Sequence, residues 1–78
     1  MTLDPLARTP VAMRRNWQLI KAANPTSAIK GNAKTPEEAR RNFQIWKKEH
    51  PTSKIDPNAT ALHEQTRNFA VLNSEGAT

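Results

Sequence analysis

Slid along itself by 26 positions, this chain of 78 residues aligns from end to end without a gap. A fixed period constrains a fold more than any local motif. Every copy must find the same local structure and share its apolar face with its neighbours. The units are residues 1–26, 27–52 and 53–78, together one small module. Units 1 and 2 share ten identities in 26, including Thr9/Thr35, Pro10/Pro36, Gln18/Gln44 and Pro25/Pro51. Four positions are the same residue in all three units: Ala7/Ala33/Ala59, Arg15/Arg41/Arg67, Asn16/Asn42/Asn68 and Thr26/Thr52/Thr78. Others keep their type, as in Leu3/Ile29/Ile55 and Trp17/Phe43/Phe69.

Each unit reads as an extended lead followed by one helix. In Thr35-Pro36-Glu37-Glu38 an N-cap threonine precedes proline at the first helical position and glutamate three residues after the cap, a strong start signal. The helix should end near Glu49, because His50 precedes Pro51 and a residue before proline avoids the helical region. Unit 1 repeats this from Thr9-Pro10 to about Ala23. Unit 3 lacks the Thr-Pro start, so Thr60 or Ala61 must cap, and Gly76 supplies the stop. The leads mix Pro, Gly, Asn, Ser and Thr around one aliphatic residue, the composition of extended and turn segments. The expected fold is all-α: three similar short helices of about 10–14 residues joined by partly extended leads.

At about 100° per residue, Met13, Trp17 and Ile20 share one stripe, as do Ala39, Phe43 and Trp46, and Leu62, Gln65, Phe69 and Leu72. These side chains have two uses. They can fill a common core, or each aromatic can anchor in a partner's pocket, where Trp and Arg are the favoured types. Asn is a poor helix former, so a repeated Asn points to a contact, either with the lead of an adjacent unit or with a partner. The candidate partner-binding set is therefore Arg15, Asn16, Trp17, Arg41, Asn42, Phe43, Trp46, Arg67, Asn68 and Phe69. A polar band beside the stripe offers Arg14, Lys21, Arg40, Lys47 and Lys48 as candidate contacts to phosphate or an acidic surface.

Twelve Lys and Arg against seven Asp and Glu give a net charge of +5, which favours an acidic partner or nucleic acid. The charge is uneven, at +3, +3 and −1 along the three units. A nucleic-acid sleeve would keep its basic residues in every copy, since phosphate contacts supply most of its affinity. Catalysis has little foothold. Cysteine is absent, and His50 and His63 form no metal set. Glu37 and Glu38 serve the helix N-terminus, and two glycines make no phosphate loop. Neither an enzyme nor a metal or cofactor site is expected. No apolar run of spanning length occurs, and no secretion signal is visible, so an intracellular or particle-associated protein is expected. Only 17 of the apolar residues are larger than alanine, a thin core for a chain this short.

These features point first to a non-enzymatic structural or linker protein of a large assembly, such as a virion or shell-like particle. Its repeated helices would dock on equivalent sites of protein subunits. The alternatives are a basic nucleic-acid-binding or packaging protein, and a small three-helix regulator of one partner protein. No membrane or small-molecule partner is expected.

Overall fold

The computed structural model describes residues 2–78 and contains three helices, α1 (Pro10–Ala23), α2 (Pro36–Glu49) and α3 (Leu62–Ser74). They begin 26 residues apart, and no strand occurs among the described residues. Local chemistry accounts for each boundary. Thr9 Oγ1 accepts from the Ala12 N–H at 3.2 Å. Thr35 Oγ1 accepts from the Glu38 N–H at 3.1 Å, and the Glu38 carboxylate returns to the Thr35 N–H at 3.3 Å, closing the expected capping box. The N-cap of α3 is Ala61, which has no side-chain oxygen. Only the glutamate half survives there, with Glu64 accepting from the Thr60 and Ala61 amides at 3.3 and 3.1 Å.

The helix ends follow the same logic. Asn24 and His50 leave the helical region, with ψ of 65° and 75°, as residues before proline must. Their carbonyls then accept from the Ser27 and Ser53 amides, so Pro25-Thr26 and Pro51-Thr52 form the centres of turns between units. Gly76 ends α3 at φ 74°, with Ala77 N–H bonded to Leu72 O and Gly76 N–H to Asn73 O, a Schellman motif.

A second turn sits in every lead. Ala7, Ala33 and Ala59 donate to Asp4, Lys30 and Asp56, closing four-residue turns at 3.3, 3.4 and 3.3 Å. These alanines are at most 2 % exposed, so the identity of this position across the repeat is a packing requirement. Leu3, Ile29 and Ile55 turn inward from the same leads.

At the centre, Trp17, Phe43 and Phe69 pack ring against ring, with centroids 4.9, 5.2 and 5.4 Å apart. This near-equilateral triangle gives the molecule a pseudo-three-fold axis. The tilted and edge-on contacts match the preferred geometry of aromatic rings. The helices therefore pool their stripes into one core, except that Leu62, at the first turn of α3, is 41 % exposed and stays outside it.

The leads run between helices and close the ring. The Gly31 Cα lies so close to α1 that an added Cβ would stand 3.3 Å from Lys21 Cβ. Gln65 Nε2 on α3 donates to Pro36 O at 2.7 Å and to Ala59 O at 3.1 Å, tying α2, the third lead and α3 together. The first lead returns to α3: Leu3 N–H donates to Asn73 Oδ1 at 3.0 Å, and the single Thr66 hydroxyl proton is shared between Leu62 O at 2.7 Å and Ala7 O at 3.2 Å. Asn24 Nδ2 donates to Ala77 O at 2.7 Å across the same closure.

Carboxylates tie helix ends to lead starts. Glu49 accepts from Ser27 Oγ at 2.6 Å and Ala28 N–H at 2.8 Å; Glu75 accepts from Ser53 Oγ at 2.6 Å and Lys54 N–H at 2.7 Å. The Ala28 amide and the Ser27 hydroxyl hold the Glu49 carboxyl below the ordinary carboxylate range. Glu38 is lowered by the Lys34 amide and the Thr35 hydroxyl, and Glu64 by the Ala61 and Thr60 amides. A depressed folded pKa means that the contribution is complete above the unfolded value of about 4.3 and is lost as pH falls through the folded value. Melting temperature should therefore be flat from neutral pH to about 5.5 and fall below that. Glu49→Gln should flatten part of the acid limb, which circular-dichroism melts across pH will show.

Candidate functional site

The structure divides the candidate partner-binding residues sharply. Trp17, Phe43 and Phe69 are 0 % exposed and Trp46 is 5 % exposed, so none of the four rings presents an anchor to a partner. Their core use wins, because three stripes too narrow to be buried alone satisfy one another. Trp46 lies beside the His50 ring, stacked at 3.9 Å and 24°.

Asn16, Asn42 and Asn68 are also buried, and their contact is internal. Asn16 Oδ1 accepts from Asp4 N–H at 2.8 Å while Nδ2 donates to Asp4 O at 2.9 Å. Asn42 holds Lys30 in the same way, at 2.9 Å for both bonds, and Asn68 holds Asp56 at 2.9 and 2.8 Å. One side-chain amide thus pairs with both backbone groups of one residue, as a neighbouring strand residue would. The clamped lead is that of the asparagine's own unit, 12 residues back, and not that of an adjacent unit. A donor and an acceptor on one short planar group are what the repeated Asn provides.

The polar band is divided as well. Arg14, Arg40 and Lys48 are exposed. Lys21 and Lys47 are not free cations. Lys21 Nζ donates to the carbonyls of Pro25 and Ser27, and Lys47 Nζ to those of Pro51 and Ser53. Each lysine staples the turn that leads into the next unit. The loss of charge in unit 3 follows from the same geometry. Its band positions Thr66 and Asn73 meet the first lead, where a hydroxyl donor and an amide acceptor are required.

What remains outside is one-sided in charge. All seven carboxylates have internal partners. Asp4 and Asp56 accept from the amides of Leu6 and Asn58, and Glu37 pairs with Arg41 at 3.0 Å. Glu38, Glu49, Glu64 and Glu75 hold caps and clamps. Nine basic side chains have no hydrogen-bond or ion-pair partner among the described residues: Arg8, Arg14, Arg15, Lys30, Lys34, Arg40, Lys48, Lys54 and Arg67. All nine are exposed. Leu6 and Val11 add two exposed apolar side chains in unit 1.

The serine–glutamate clamps were not identified from sequence, although Ser27/Ser53 and Glu49/Glu75 recur in register in units 2 and 3. No group of three or more His, Asp or Glu that could hold a metal ion occurs among the described residues, and no helix there is long and apolar enough to cross a membrane. No known family model, no curated protein and no solved structure matches the chain.

Proposed function

We propose that this protein is a non-enzymatic linker module of a larger protein assembly, a virion- or shell-like particle, and that it attaches to acidic sites on equivalent subunits. One observation carries the reading: the fold turns the seven Asp and Glu carboxylates onto its own backbone or side chains and leaves nine surface cations without a hydrogen-bond or close ion-pair partner among the described residues. A surface cation gains little from a partner in the same chain, but an acidic partner gains orientation and a faster encounter from it. Nucleic acid competes for the same charge. Binding to single strands draws heavily on exposed aromatic platforms, and all four aromatic rings are buried. That reading keeps only phosphate contacts.

The test is sedimentation of the tagged protein from the cells that produce it, before and after nuclease digestion. The linker reading expects co-migration with a heavy particle that survives nuclease. Arg14→Glu/Arg40→Glu/Lys48→Glu, at exposed positions without a hydrogen-bond or ion-pair partner among the described residues, should shed the protein by reversing the surface charge. Sedimentation as a free monomer, or release by nuclease, would sink the proposal.

A further inference from the structure

The internal repeat is an alignment of the chain with itself, and the structure explains what has been kept. Units 1 and 3 agree at only six of 26 positions: Asp4/Asp56, Pro5/Pro57, Ala7/Ala59, Arg15/Arg67, Asn16/Asn68 and Thr26/Thr78. Aspartate and proline begin the lead turn, and alanine ends it in the core. Asparagine clamps that turn. In units 1 and 2 the threonine sits in the turn that leaves the helix. The arginine has no such task. Arg15, Arg41 and Arg67 are exposed, and they share no internal partner. Arg41 pairs with Glu37 and Arg67 lies near enough to Glu64 to help lower its pKa, whereas the residues three and four positions before Arg15 are Ala12 and Val11. Helix propensity does not select arginine three times either, since Lys, Gln, Glu and Ala serve an exposed helical site as well.

The placement is specific. Each arginine stands two residues before the ring on the three-fold axis, a rotation of about 200°, so it points outward from that axis. One turn later stands a half-buried aliphatic residue, Leu19, Ile45 or Val71. In unit 2 this neighbourhood is a shallow hollow of about 80 Å³ lined by Lys30, Ala33, Glu38, Arg41, Asn42 and Ile45, with the Glu38 carboxylate turned onto the Thr35 N-cap. A planar guanidinium beside a small apolar floor suits a carboxylate with an aliphatic neighbour.

We infer that Arg15, Arg41 and Arg67 are three corresponding docking sites, each taking a carboxylate-bearing segment from one of three copies of the same partner subunit around the module. This rests on the linker reading and names the partner's chemistry and copy number.

The probe is a synthetic acetyl-Glu-Glu-Leu-Glu-Glu-amide peptide, titrated against the full chain and followed by the arginine Nε–H resonances. The expected result is a shift of Arg15, Arg41 and Arg67, weakest at Arg41 because Glu37 competes for its guanidinium, and three peptides bound per chain at saturation. Arg41→Gln should lower the count to two, leave the other two sites unchanged, and leave the melting temperature as it was. Arg14→Gln/Arg40→Gln should leave all three sites intact. Equal shifts over Arg14, Arg40 and the exposed lysines would overturn the three-site inference while leaving the linker function standing. No peptide binding alongside tight, salt-sensitive binding of a single-stranded oligonucleotide would overturn both.

Discussion

Trp17→Ala is expected to lower the melting temperature steeply or to abolish the cooperative thermal transition. The Trp17 ring is fully buried and contacts both Phe43 and Phe69, so truncation opens a cavity in the core that the three units share. Large-to-small aromatic changes in cores cost about 3–5 kcal/mol. At ~0.05–0.15 kcal/mol per residue, a chain of this length holds only about 4–12 kcal/mol. The buried indole N–H has no hydrogen-bond partner among the described residues, so Trp17 contributes its ring and not its polar handle. Trp17→Phe, which copies units 2 and 3, should therefore remain folded at a much smaller cost. A wild-type melt for Trp17→Ala in circular dichroism would show that the aromatic triangle is not the centre of stability.

Asn42→Ala should cost about 2–4 kcal/mol by urea denaturation. Two hydrogen bonds are lost, and the lead's buried polar groups forfeit their partner. Asn42→Asp is the sharper variant. It keeps the acceptor for Lys30 N–H but sets a negatively charged oxygen against Lys30 O in place of a donor. It should be no better than alanine. The neighbouring Arg41→Ala should stay within about 0.5 kcal/mol of wild type, as exposed changes do. A stable Asn42→Asp variant would mean that the lead is held by something other than the paired amide. Comparable losses are expected at Asn16 and Asn68, which make the same two bonds.

The helices and the period were legible because their causes are local. A threonine hydroxyl caps the amide three residues on, a proline stops the chain one residue later, and a glycine takes the left-handed turn at Gly76. None of these needs a distant partner. The stripe carrying Trp17, Phe43 and Phe69 was equally plain, since a period near 3.6 places those side chains on one face.

Whether that face met a partner or its own copies depended on distance in space, and no spacing within a helix encodes it. The same holds for the charged band. Arg14 and Lys21 read alike in sequence, yet only Lys21 lies within reach of the carbonyls of the following turn. Asn16, Asn42 and Asn68 read as contact residues, and tertiary structure decided that their contact is the backbone 12 residues earlier. The sequence by itself determined where three helices start, stop and turn their apolar stripes, because caps, prolines and periodicity act over four residues or fewer. Tertiary structure alone decided that the ring closes on itself, which rings and amides it consumes, and which cations it leaves outside. Closure joins groups as far apart as Leu3 and Asn73, and such pairs are chosen by packing.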